Sequence, residues 1–199
     1  RTAFTSDTSD HASLDAKPTN GQKSRVSHLY PEGFAPLRRY QFEKTDAEKI
    51  AEDTESLVSV LRFDMANEKE SAAWDAMFGI DGFARENGVI SGSSTRADYA
   101  VYTSFADMPE TADMPILHIR MKTSEKANAE IFFVTSSDGT WNNVKKMNVA
   151  LGEPNEFHDY YVNMSALASY KDKLTALRLD PCTMPAAFEI ALIEFMQYP

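Results

Sequence analysis

The hydrophobic pattern changes character near residue 57. Before it, RTAFTSDTSDHASLDAKPTNGQKSRVSH carries Ser, Thr, Asp and Lys with no apolar period. Such a segment cannot build its own core and predicts a polar arm, ordered only where it lies on something else. YPEGFAPLRRYQF supplies turn punctuation and then a short strand candidate. TDAEKIAEDTES begins with Thr45 and places Glu48 three residues later, a capping-box pattern that predicts one short solvated helix. From Leu57 onward the period is close to two. LVSVLRF, GVISG, ADYAVYTSF, PILHIRMKT, AEIFFVTSS, VKKMNVAL, FHDYYVNMS, KLTALRLDP and FEIALIEFM all read as short strands separated by turn residues. In PILHIRMKT, Leu117, Ile119 and Met121 share one face, and Ile116, His118, Arg120 and Lys122 share the other.

Short strands at this spacing predict an all-β fold, a two-sheet antiparallel jelly-roll-like sandwich over residues 57–199 preceded by the polar segment 1–56 with its short helix. The C-terminal stretch LTALRLDPCTMPAAFEIALIEF forms the last two strands, with Leu177, Leu179, Ile190 and Leu192 expected to fill the core. SAAWDAMFGIDGF is less regular. Its Trp74 and Phe78 are expected to pack rather than bind, on a loop or a short helix.

Charge narrows the possible partners. The chain has 199 residues and a formal net charge of −10, with no large Lys/Arg cluster. A phosphate backbone or an anionic membrane needs a basic patch, so neither nucleic acid nor a membrane is an expected partner. No apolar run is long enough to span a bilayer. Cys182 is the single cysteine, which excludes an internal disulfide and a Cys-based metal site. No GxSxG, HExxH or Gly-rich phosphate loop is present. Cys182 sits in a turn between strands with nothing in the sequence to activate it, so an enzyme is not expected.

The order of strands LHIRMK, AEIFFVTSSDGTWNN, EFHDYYVNMS, LTALRLDP and FEIALIEF resembles the β-jelly-roll carbohydrate-binding modules of the galactose-binding-like superfold. The apolar-Phe-Asp opening followed by a polar stretch and a Trp, here LRFDMANEKESAAW, is similar to the usual module start, and GVISGSS to its second strand. The resemblance covers about residues 57–199 and rests mostly on core and turn positions. It implies a jelly-roll sandwich and non-catalytic binding of a polysaccharide or glycan. It also implies a secreted or cell-surface, bacterial setting with an attached or partner glycoside hydrolase. The turn CTMPAA departs from the Gly/Asn-rich form usual in the family, so no ligand role is carried onto it. Modules of this type often hold a structural Ca²⁺, and Asp64, Glu68, Asp180 and Glu194 fall near the expected first and last strands.

Two groups of residues have the chemistry that a sugar needs, an aromatic face for the ring and planar polar groups for hydroxyls. The first is the loop SSDGTWNN, with Trp141 for stacking and Asp138, Asn142 and Asn143 for hydrogen bonding. The second is the outward face of PILHIRMKT. There His118 and Arg120 would be joined by Arg178 and by Tyr161 or Tyr160, a surface suited to a glycan with carboxylates. The plain alternative for this face is a solvated sheet surface with cross-strand charge pairs. The rival function is a structural or interaction sandwich of an extracellular assembly, with a neighbouring protein chain as partner for the arm.

Overall fold

The computed structural model describes residues 54–105 and 110–199. The arm and the capping-box helix, apart from its last residues, lie outside the described residues. Thr54–Ser56 form a 3₁₀ turn leading into the first strand.

Eleven strands follow among the described residues: β1 (Val58–Asp64), β2 (Asp75–Phe78), β3 (Asp81–Glu86), β4 (Val89–Ser93), β5 (Ala100–Ser104), β6 (Ile116–Thr123), β7 (Asn128–Thr135), β8 (Lys146–Ala150), β9 (His158–Asn163), β10 (Leu174–Asp180) and β11 (Ala187–Gln197). The only α-helix among them is the single turn α1 (Glu68–Ser71), capped by the Asn67 side chain, which accepts from the Lys69 N–H. All pairings are antiparallel, in two sheets. One sheet runs β3-β4-β11-β6-β9, with β1 also paired to β11; the other runs β2-β5-β10-β7-β8. The expected two-sheet antiparallel sandwich is the architecture observed.

Alternation places the core. Leu117, Ile119 and Met121 of β6, Phe188, Ile190, Ile193 and Phe195 of β11, and Val162 of β9 face inward from the first sheet. Ile131 and Phe133 of β7 and Leu174, Leu177 and Leu179 of β10 face them from the second. Trp74 is fully buried here, edge-on to Phe63 at 5.8 Å between ring centroids. Cys182 is buried in the same core, and burial pushes its thiol up, so it is an unreactive packing residue.

Leu192 departs from expectation. A bulge between Ile190 and Leu192 shifts the register of β11 against β6. The added residue reverses the alternation, so Ile193 and Phe195, not Leu192, fill the core beyond it. The bulge lies where β11 changes partner. Ala187–Ile190 pair with β4, and Leu192–Gln197 pair with β1. SAAWDAMFGIDGF also differs from a loop or helix, because it supplies β2 and the start of β3. The two strands belong to different sheets, and the chain crosses between them at Gly79. Gly79 has φ +69°, and a Cβ there would lie 2.7 Å from the Asp98 carbonyl oxygen, so only glycine fits.

Candidate functional site

The outer face of the β2-β5-β10-β7-β8 sheet is built from one register row. Asp75 of β2 lies opposite Tyr102 of β5, Tyr102 opposite Arg178 of β10, Arg178 opposite Phe132 of β7, and Phe132 opposite Lys146 of β8. The alternation of LTALRLD forces this placement: Leu177 and Leu179 point to the core, so Arg178 and Asp180 point away from it. Two positions apart on one face, they form a fork. Arg178 Nε donates to Asp180 Oδ1 at 2.6 Å and Arg178 Nη2 to Asp180 Oδ2 at 2.5 Å. Arg178 Nη2 also reaches Asp98 Oδ1 at 3.1 Å.

Two rings flank the guanidinium. Its Cζ lies 4.6 Å from the centroid of Phe78 and 4.6 Å from that of Phe132. Phe78 lies opposite the small Ala100 of β5. The Arg178 side chain is therefore only 14% exposed although it stands on an outer face, and Asp180 is 5% exposed. Burial pushes the Asp180 carboxyl up, against the opposite pull of its hydrogen bond from Arg178. Beside Phe132, Lys146 Nζ lies 5.6 Å over the ring and 2.6 Å from Glu130 Oε1. Every cation in the row thus has a carboxylate partner. Arg178 Nη1, which makes no hydrogen bond among the described residues, and the half-buried Tyr102 remain to meet a ligand.

The opposite outer face is a charge lattice. Arg62, Glu194, His118 and Tyr161 form a register row across β1, β11, β6 and β9. His118 stacks on Tyr161 with 4.3 Å between centroids and 4° between planes. Its Nδ1 lies 3.4 Å from Glu194 Oε2 and its Nε2 2.8 Å from Asp159 Oδ1. Arg120 Nη1 donates to Asp159 Oδ2 at 2.5 Å, and Arg62 Nη1 lies 3.6 Å from Glu194 Oε1. Phe157 lies under Arg120 and Lys122, and Lys122 pairs with Glu189 at 3.0 Å. His118, Arg120 and Tyr161 do come together as expected, with Tyr161 rather than Tyr160 on the face. Their charged groups, however, are engaged by cross-strand carboxylates, His118 by Glu194 and Asp159 and Arg120 by Asp159. Arg178 does not join them. It points outward with the expected phase, but from the other sheet, so the expected His/Arg/Arg/Tyr stripe is divided between two faces. Alternation fixes only inward or outward, and strand order decides which outside.

The loop SSDGTWNN is organised from within. Asp138 accepts from the Thr140 hydroxyl at 2.7 Å and the Thr140 N–H at 3.1 Å, and faces Lys145 Nζ at 3.1 Å. These contacts, led by the Thr140 hydroxyl, lower its carboxyl from 3.8 to about 2. Lys145 is 1% exposed and also donates to the Asp138 carbonyl at 2.8 Å. Asn142 caps the short 3₁₀ turn Asn143–Lys145 by accepting from the Val144 N–H at 3.1 Å, and donates to Thr140 at 3.2 Å. Asp138 and Asn142 therefore shape the loop from within. Trp141 is half-buried and Asn143 exposed.

The four expected metal ligands do not converge. Asp64 Oδ2 takes Arg62 at 3.1 Å and its Oδ1 the Ala66 N–H at 3.0 Å. Glu194 pairs with His118 and Arg62, Asp180 sits on the opposite sheet with Arg178, and Glu68 opens α1. Among the described residues no group of three or more His, Cys, Asp or Glu side chains is placed to hold a metal.

Sequence reasoning missed Tyr102, Phe132, Glu130 and Lys146, and it expected Phe78 to pack rather than bind. One signal was present in AEIFFVT. With Ile131 and Phe133 inward, Phe132 had to face outward, and an outward phenylalanine in mid-strand needs a covering partner.

No protein-family model matches the chain, and no curated protein matches it. Solved structures are similar in strand arrangement. A family 29 carbohydrate-binding module complexed with cellulohexaose is 11% identical over 71% of this chain and 92% of that one, with a TM-score of 0.49. The low-affinity xylan-binding module CBM86 from the gut symbiont Roseburia intestinalis is 11% identical over 69% of this chain and 95% of that one, with a TM-score of 0.47.

Proposed function

We propose that the protein is a non-catalytic glycan-binding module whose ligand lies across the outer face of the β2-β5-β10-β7-β8 sheet. The observation that carries this reading is the Arg178 guanidinium, fixed by Asp180 and flanked by Phe78 and Phe132, with Tyr102 beside it. A pyranose presents an apolar face and a rim of hydroxyls. Aromatic rings match the first, and a fixed planar donor matches the second. Holding Arg178 in place before the ligand arrives removes the cost of ordering a long side chain on binding.

The ligand class follows from charge. Arg178 is neutralised by Asp180 and Asp98, and Lys146 by Glu130. No unpaired cation in this row awaits a carboxylate or sulfate, and the whole chain carries −10. The face suits a neutral glycan rather than the carboxylate-bearing one considered from sequence. In this reading the module works outside the cell and holds an attached or partner enzyme on polysaccharide, raising effective concentration without chemistry of its own.

A panel of immobilised neutral and acidic polysaccharides tests the proposal on the full chain. Retention by a neutral polysaccharide, lost in both Phe78→Ala and Tyr102→Ala, is the expected result. Retention by acidic polymers only, or retention indifferent to both substitutions, would remove this face from the account.

A further inference from the structure

The β7–β8 loop has features that the sheet face does not use. Trp141 is absent from the hydrophobic core and from the residues packed against it. Its indole N–H makes no hydrogen bond among the described residues. Val144, in the same loop, is 71% exposed. A tryptophan that served only to close the end of the sandwich would pack on the core.

The loop beneath it is unusually fixed. Lys145 is buried to 1% exposure with one carboxylate and one carbonyl as partners. Burying an ammonium carries a desolvation penalty that a solvated loop would avoid. Asp138 adds three contacts, to the Thr140 hydroxyl, the Thr140 N–H and the Asn142 amide at 3.4 Å. Ser169 donates to the Val144 carbonyl at 2.9 Å, and Ser136 N–H to the Lys173 carbonyl at 2.8 Å, tying the loop to its neighbours. The result is a rigid mount for one aromatic ring, flanked by the exposed amide of Asn143.

We propose that this loop is a second glycan contact, separate from the sheet face, in which the Trp141 indole stacks on a pyranose and Asn143 meets its hydroxyls. The ligand class is a neutral sugar, because the loop's one cation, Lys145, is buried and paired. The separation follows from strand order: the loop joins β7 to β8 at one edge of the sheet, whereas Phe78 stands on β2 at the other, three to four strand spacings of about 4.8 Å away. Two such contacts on one polysaccharide would raise apparent affinity without enlarging either site.

The chain's two tryptophans make the test selective. Trp74 is fully buried, so a ligand-induced change in tryptophan emission reports on Trp141. The full chain is titrated with cellohexaose, mannohexaose and xylohexaose, following emission and heat together, with circular dichroism to verify that each variant is folded. The expected result is a saturable emission change that persists in Phe78→Ala. Affinity should fall about five- to tenfold in Trp141→Ala, the size of one stacking contact, and be partly restored in Trp141→Phe. Binding heat without any emission change, with Trp141→Ala equal to the parent, overturns the proposal and leaves the sheet-face reading standing. An emission change abolished by Phe78→Ala also overturns it, because the signal then belongs to the sheet face. An emission response with no effect from Phe78→Ala or Tyr102→Ala supports this site and removes the other. No heat and no emission change with any of the three sugars removes both.

Discussion

Asp138 and Asp180 show how two aspartates take opposite roles from their surroundings. Asp138 has its carboxyl at about 2 because hydroxyl, amide and ammonium donors all favour its charged form. A depressed folded value means that the group stabilises the fold above the unfolded value of 3.8, and that this contribution is lost as pH falls toward about 2. The melting temperature of Asp138→Asn should therefore lie below that of the parent at about pH 6, and the two should converge near pH 2. A gap that persists unchanged to pH 2 would show that charge is not what Asp138 supplies. Asp180 is buried against Arg178. Replacing it with alanine leaves a mostly buried guanidinium with only the exposed Asp98 as carboxylate partner, so Asp180→Ala should lose about 3 kcal/mol in chemical denaturation. A loss under 1 kcal/mol, the range of an exposed pair, would mean that water reaches the fork.

At the scale of elements, the strand pattern was legible and the strand order was not. PILHIRMKT and LTALRLD alternate cleanly, and their inward residues were identified correctly. Arg178 was placed with His118 because both point outward, but a period of two does not say which sheet a strand joins. That depends on long-range pairing, here β10 with β5 and β7 against β6 with β11 and β9. Leu192 was misassigned because a bulge adds a residue without any local mark. β2 was missed because its four residues are too few to show a period. That strand carries Phe78, so its place on the outer sheet face was not legible for the same reason. The hinge of this element is Gly79. Gly79→Ala should destabilise the protein by about 1–3 kcal/mol, from strain at positive φ and the approach of the Asp98 carbonyl. A neutral substitution would show that the β2–β3 crossing relaxes freely.

For the whole molecule, the two outer faces differ in kind. One is a lattice of cross-strand ion pairs around His118. The other gathers aromatic rings around a fixed arginine. The first needs no ligand to be satisfied, which favours the plain reading of that surface. The four acids that the resemblance offered for Ca²⁺ are dispersed, so if they are its only ligands, chelation with EDTA should leave the melting temperature unchanged. A fall that Ca²⁺ reverses would point to a site other than the four acids considered. The rival account, a sandwich that assembles with copies or partners, predicts a species larger than one chain in size-exclusion chromatography, where the binding-module account predicts a monomer.

The measurement that bears most directly on the central claim is calorimetric titration of the full chain with the neutral polysaccharide that retains it, repeated with Phe78→Ala and Tyr102→Ala at low and high salt. A neutral ligand on a charge-compensated face predicts an affinity nearly independent of ionic strength and at least about fivefold weaker in each variant. Binding that collapses with added salt, or that survives both substitutions, would contradict it.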